Sequence, residues 1–237
     1  MKKLASGLHR RRFLQGTAAA GMAAGLAPGL VRAQTPQRGG TIRVAKGHGN
    51  TTDTLNPATW DNGYMLALSY GIHGYLTGVA TDGSVQPELA ESWEASADAK
   101  TWRFKLRQGV TYHSGKPVTV EDVLASIQYH RGEESTSAAK PLLAAITGMS
   151  AEGGDTLVFE LESGNADFPF TFTDYHIVIC PSQDGTIDWR SGDGCGPYRL
   201  IEFQPGVVAR LERNENDWNQ DRGWIREVEL LSIVDLN

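Results

Sequence analysis

The chain has 237 residues, 40% apolar and 21% charged, with 27 Gly and only 2 Cys, which fits a soluble globular chain of one large domain or two small ones and excludes a disulfide-rich miniprotein, a fibre and a multi-span membrane protein. The net charge of −6 is unevenly placed: residues 1–33 hold six bases (Lys2, Lys3, Arg10, Arg11, Arg12, Arg32) and no acid, and the remainder carries 16 bases against 28 acids, a net of −12. So acidic a body argues against nucleic acid or anionic lipid as a partner, since both require a dense basic face to release counterions.

Residues 1–33 have the three-part layout of a secretory leader: a basic start, an apolar stretch over residues 17–31, and Val31-Arg32-Ala33 as a small-residue site that predicts cleavage after Ala33. Within it, Arg10-Arg11-Arg12-Phe13-Leu14-Gln15 resembles the twin-arginine export motif, with Arg10, Arg11, Phe13 and Leu14 in its positions. Gln15 departs from the usual Lys and His9 from the usual Ser or Thr. Gly21, Gly25, Pro28 and Gly29 dilute the apolar stretch below what a permanent span of ~20 residues needs. An ordinary general-secretion leader or an amphipathic anchor is the alternative. No Cys lies near the cleavage position, so the leader implies a periplasmic product without a lipid anchor, joined to the body by a linker at residues 34–37.

The body reads as mixed α and β. Gly40-Thr41-Ile42-Arg43-Val44-Ala45 puts Ile42 and Val44 on one face of a first, half-buried strand. Residues 47–57 form turns and end in Asn56-Pro57. From Tyr64 to Leu76 the apolar positions Met65, Leu68, Ile72 and Leu76 recur at helical spacing, weakened by Gly71 and Gly74. Thr81-Asp82-Gly83-Ser84 is a turn. Trp102, Phe104 and Leu106 alternate with charged residues over 101–107 as an inward strand face. Thr119 is an N-cap ahead of a helix whose buried stripe is Val120, Val123, Leu124 and Ile127, with Glu121 and Asp122 in its first turn and an end near Gly132. A short helix is expected over residues 141–146, strands over 156–162 and 176–180 (the latter buried on both faces), a hairpin of 198–203 with 207–213, and a last strand over 227–234.

Five strings then carry a resemblance: Pro87-Glu88-Leu89-Ala90-Glu91-Ser92-Trp93-Glu94, the run from Trp102 to Val110, Ser114-Gly115-Lys116-Pro117 through Val123, Gly194-Cys195-Gly196-Pro197-Tyr198, and Arg213-Asn214 through Trp218. In this order and spacing they resemble the family 5 extracellular solute-binding proteins, the peptide, opine and nickel receptors of bacterial ABC importers. The resemblance implies an α/β fold with a periplasmic binding protein type II-like lobe, built from residues 38–73 and 177–237, and an accessory domain at residues 74–176. Such receptors run to roughly twice this length, so a second lobe is expected to be absent, either because the chain is an N-terminal fragment or because the product is naturally shortened. Half a cleft implies weak binding or none by this chain alone, since a closing receptor buries its ligand from both sides. The implied partners are a peptide-like or related small solute, the membrane permease with its ATPase subunits, and the export machinery. The implied state is a monomer, with no cofactor and no metal.

Most signature residues read as scaffold. Trp93, Trp102, Phe104 and Leu106 suit a sheet core, and Arg107 and Asp122 suit pairing or capping. The site candidates are Trp60, Asp61, Asn62, Gly63 and Tyr64, which match the loop that peptide-binding members bring to the ligand. Gly63 permits close backbone approach, Trp60 and Tyr64 offer flat apolar surface, and Asp61 suits an ammonium group. The alternative is a solvated turn before a helix. Cys180 and Cys195, in an oxidising compartment, are expected to form a disulfide that stabilises by ~3 kcal/mol, two inert thiols being the alternative. Twin-arginine export also suits a periplasmic enzyme, but the chain has no Cys-x-x-Cys, His-Glu-x-x-His, Gly-x-Ser-x-Gly or phosphate loop. The reading is therefore a binding protein, with an exported enzyme or a truncated non-binding remnant as the alternatives.

Overall fold

Two four-stranded sheets organise the body. The computed structural model describes residues 37–233; the leader with its Arg10, Arg11, Phe13 and Leu14 motif, and the cleavage position after Ala33, lie outside the described residues. The first sheet has the order β1 (Thr41–Gly47), β12 (Glu227–Ile233), β11 (Val208–Arg213), β10 (Tyr198–Gln204), with β1 parallel to β12 and the other pairs antiparallel. The second is fully antiparallel, in the order β4 (Ala90–Ala95), β5 (Thr101–Leu106), β7 (Thr156–Leu161), β6 (Ile146–Glu152). Two hairpins complete the strands, β2 (Thr77–Val79) with β3 (Val85–Pro87) and β8 (Ser182–Gln183) with β9 (Thr186–Ile187). The helices are α1 (Gly63–Ile72) and α2 (Val120–Arg131), and among the described residues no helix is long and apolar enough to cross a membrane.

Local chemistry sets the helix ends. The Asn62 side chain caps α1 by accepting the N–H groups of Tyr64 and Met65, both at 3.0 Å. The helix stops at Ile72, short of the expected Leu76, because His73 turns extended, Gly74 bridges to Ile179 and residues 77–79 pair as β2 across the expected turn, where Gly83 sits at φ +85°. Thr119 and Asp122 form a capping box on α2, each accepting the other's backbone N–H (3.3 and 3.0 Å). The second Asp122 oxygen accepts from the backbone and hydroxyl of Ser182, at 2.7 and 2.8 Å, and ties α2 to β8.

Two apolar clusters fill the space between these elements. One lies under the second sheet, where Trp102, Phe104 and Leu106 point inward as expected and Phe104 meets Phe159 and Phe172 edge-on. The other lies between α1 and the first sheet and holds Tyr64, Leu68, Ile72, Leu211 and Leu230. The sequence predicts a strand buried on both faces over residues 176–180. They are buried on both sides, but the only pairing described is the single bridge of Ile179 to Gly74. The segment instead runs between the clusters, sending Ile177 and Ile179 into one and Val178 and Cys180 into the other. Two other expectations are corrected. Ile42 is 42% exposed, because β1 is an edge strand with one neighbour. Residues 141–146 are not α-helical; Lys140–Leu143 is a single 3-10 turn leading into β6.

The Gly194-Cys195-Gly196 string crosses the end of α1 in backbone contact. Gly196 N–H donates to the Ile72 carbonyl at 3.0 Å, and His113 N–H to the Gly194 carbonyl at 2.8 Å. A Cβ on Gly194 would overlap the Ile72 carbonyl, and one on Gly196 would lie 2.7 Å from the His73 carbonyl oxygen. Both positions therefore require glycine for closeness of approach. Gly194→Ala is expected to lower stability in urea unfolding by ~1–3 kcal/mol, the cost of overpacking. Gly132→Ala, whose Cβ would meet only ordinary contact at 3.9 Å, is the control, with a change within ~0.5 kcal/mol.

Candidate functional site

The loop leaving β1 gathers at the carboxyl ends of the parallel pair β1 and β12, the edge at which open α/β sheets present their binding residues. His48 stands there in the left-handed region, φ 70°, and is exposed. Gly49 is wedged against Ser232 of β12 and the Tyr64 ring. Behind it, the Asp53 carboxylate accepts the Asn50 N–H at 2.8 Å and the Asn62 amide at 3.0 Å. That same amide donates to Asp61 at 3.2 Å, so one side chain caps α1 and bridges two carboxylates.

The five expected site residues do not share one environment. Asp61 is exposed, Asn62 and Gly63 are half-buried, and Trp60 and Tyr64 are 2% and 0% exposed. The flat apolar surface expected of the two rings is thus absent, because both belong to the core under α1. The Trp60 indole N–H donates to the Thr54 carbonyl (2.9 Å), and its ring lies 5.8 Å from that of His73. Burial, with a smaller effect from Asp53, pushes the Tyr64 hydroxyl up to about 12. What the loop offers outward is the Asp61 carboxylate and the Gly63 backbone, where the place of a Cβ is open space. This arrangement suits a cationic or amine group beside a closely approaching backbone. A separate cavity of about 260 Å³ is lined by Tyr70, His73, Gln86, Glu88, Arg222 and others, and includes none of the five.

Residues far away in sequence hold the loop from behind. The Trp60 carbonyl accepts from His176 Nε2 at 2.7 Å and from the Tyr175 hydroxyl at 3.3 Å, while His176 Nδ1 faces Asp174 at 2.7 Å. Burial raises the Asp174 carboxyl, but hydrogen bonds from the His176 ring and backbone outweigh it and hold the group below the usual carboxylate range. No local pattern could have found these partners, which lie more than a hundred residues from Trp60. Asp53 could have been found, since Asn50 and Asp53 have the spacing of a side chain closing its own turn.

Cys180 and Cys195 are free thiols, both buried. The expected disulfide is not formed in this structure, where Cys195 lies beside Gly74 and Leu89 in one cluster and Cys180 belongs to the other. Burial pushes the Cys195 thiol up to about 12 and the Cys180 thiol higher still, so neither is a nucleophile at neutral pH. Among the described residues no three His, Cys, Asp or Glu are gathered as a metal ligand set.

Two measurements follow from these groups. Alkylation before reduction should label both cysteines only after unfolding, with no two-dalton change on reduction. The second concerns pH. Burial pushes His73 down to about 3 and His130 to about 4, from an ordinary 6.5. Below the ordinary value the unfolded chain takes up protons that the folded one refuses, so their contribution is complete above it and is lost as pH falls toward 4 and 3. The loss from pH 7 to 5 is roughly 1–2 kcal/mol per ring. Urea midpoints should fall across that interval, and His73→Leu should shrink the difference.

Comparison with known proteins gives the geometry its context. Residues 84–237 match the model of bacterial extracellular solute-binding proteins, family 5 Middle. The chain is 28% identical over 206 residues to a probable peptide ABC transporter periplasmic-binding protein of Sinorhizobium fredii, covering 83% of this chain and 38% of that protein. It is 30% identical over 178 residues to the nickel-binding periplasmic protein of Escherichia coli, covering 70% of this chain and 33% of that one. Among solved structures, OppA of Burkholderia pseudomallei superposes with a TM-score of 0.71 at 22% identity, covering 84% of this chain and 42% of OppA. DppA of Helicobacter pylori, in complex with the peptide STSA, gives 0.70 at 19%, covering 84% and 43%. The expected α/β, type II-like fold is the one these structures share, and the chain spans well under half the length of each. With the family match covering more than half of its residues, the chain belongs to the family 5 bacterial extracellular solute-binding proteins.

Proposed function

We propose that the chain is the substrate-binding part of an ABC importer, exported to the periplasm by its twin-arginine leader, where it captures a peptide-like solute for a membrane permease and performs no catalysis. Residues 38–73 and 177–237 serve as one lobe of the receptor and residues 74–176 as its accessory domain. The observation that carries this reading is the family match over residues 84–237. The relatives include proteins named for peptides and for nickel. The exposed Asp61, with Asp53 one amide away, favours a ligand that presents an ammonium group, as the amino terminus of a short peptide does.

Because half a cleft binds weakly or not at all, the test is calorimetric titration of the receptor carrying both lobes with trialanine, a nickel–histidine chelate and an opine, each followed by recovery of the solute. Saturable binding of trialanine with the peptide recovered intact is the expected result. Asp61→Asn should weaken it about 10- to 100-fold, the worth of a hydrogen bond to a charged group. Cleaved peptide would establish an enzyme instead. Absence of binding to any of the three, or an unchanged affinity in Asp61→Asn, overturns the reading or its site.

A further inference from the structure

We propose that His176, braced by Asp174, is the positioning residue for Asp61: it holds the Trp60–Asp61 peptide plane and thereby aims the exposed carboxylate. The inference rests on the solute-binding reading only in treating Asp61 as a ligand contact. The contact itself is between segments 116 residues apart, His176 Nε2 to the Trp60 carbonyl at 2.7 Å. A carbonyl and a carboxylate can only accept, so Nε2 donates to Trp60 and Nδ1 to Asp174 (2.7 Å), and the two bonds together keep the ring from turning over. Asp174 is itself fixed, because the same oxygen accepts the His176 backbone N–H at 3.0 Å. Tyr175 lays its ring on the imidazole, centroids 3.9 Å apart, and adds its hydroxyl to the same carbonyl at 3.3 Å.

This set of bonds is surplus to what anchors Trp60 in the core. The indole is already buried and bonded to Thr54, and α1 is already capped by Asn62. Asp61 itself has one recorded side-chain partner, the Asn62 amide at 3.2 Å. Its direction therefore depends on the backbone on either side, the Asn62 cap following and the Trp60 carbonyl preceding. Only the second is held from outside the loop, by residues at the end of the segment proposed as the accessory domain. Removing the His176 bond should leave the sheets intact and free one peptide plane.

Hydrogen exchange of the loop amides, residues 54–62, reads this without any ligand. Asp174→Asn and His176→Phe are expected to speed exchange there at least tenfold while exchange in β5 and β7 and the melting temperature hold. His176→Gln, whose amide can donate the same bond, should recover most of the protection. Unchanged loop exchange, acceleration spread evenly over the protein, or a Gln variant no better than Phe would each overturn the proposal. Should His176→Phe not fold, Asp174→Asn at a partly exposed position carries the test. Trialanine, titrated into the receptor carrying both lobes, supplies the functional arm: a tenfold weaker affinity in Asp174→Asn supports positioning of a ligand contact, and an unchanged one overturns it. If the unaltered protein binds none of the probes, the solute-binding reading fails while the exchange result still decides the role of His176.

Discussion

The crossing of Gly194-Cys195-Gly196 over the end of α1 is the constraint on which the rest of the body depends. Here two stretches of backbone touch without side chains between them, and a hydrogen bond from Gly196 to Ile72 closes the contact. The next residue after the crossing on the α1 side, Gly74, bridges to Ile179, so three chain segments meet within a few residues. From that meeting Ile179 and Cys195 enter one core and Cys180 the other. The alternation of a single extended segment thus joins two apolar clusters that would otherwise be separate folding units.

A partly buried polar clasp reinforces the same junction. Arg222 pairs with both oxygens of Asp217 (2.7 and 3.0 Å) and with Glu88 (2.9 Å), while Trp218 lies between the guanidinium groups of Arg107 and Arg222 at 4.1 and 5.1 Å. Arg107 also donates to the Glu88 carbonyl at 3.1 Å, and Asn214 to that of Gly196 at 3.2 Å. Four of the five strings that carried the family resemblance are therefore neighbours in space. Glu88, Arg107, Gly194, Gly196, Asn214 and Trp218 build one joint, and the joint is scaffold. Partners of a buried ion pair are hard to exchange singly, because each leaves the other charged and unpaired. That physical interdependence makes the strings legible as a family mark while leaving them silent about the ligand.

The same distinction decides what could be read from the sequence. Alternation in β5, the Thr119 N-cap and the Pro205-Gly206 turn between β10 and β11 are local devices, and each was visible in a window of a few residues. β6 was not, because Gly148 and Ser150 break its pattern and its partner β7 supplies the order. Residues 177–180 looked like a strand because a segment between two cores has the same apolar run as a strand between two layers. The loop proposed as the site was legible only in part. Its position came from the family likeness and Asp61 from its charge, but the burial of Trp60 and Tyr64 is a tertiary fact that no spacing expresses.

That burial alters what kind of recognition the loop can perform. Had the two rings faced outward, the site would have favoured apolar solutes through area, at roughly 25 cal/mol per Å². With both rings inside, the outward surface is a carboxylate, a second carboxylate bridged to it by Asn62, and an open place over Gly63. Such a surface discriminates by charge and by backbone approach, and it gains little from side-chain bulk. Under the proposed function, such a surface would suit solutes that share an ammonium group and differ elsewhere, provided the carboxylate is held in one direction. On that reading the core beneath the loop, the Asn62 cap and the proposed positioning by His176 would supply that direction, and the apolar residues would contribute to recognition through the fold instead of through contact.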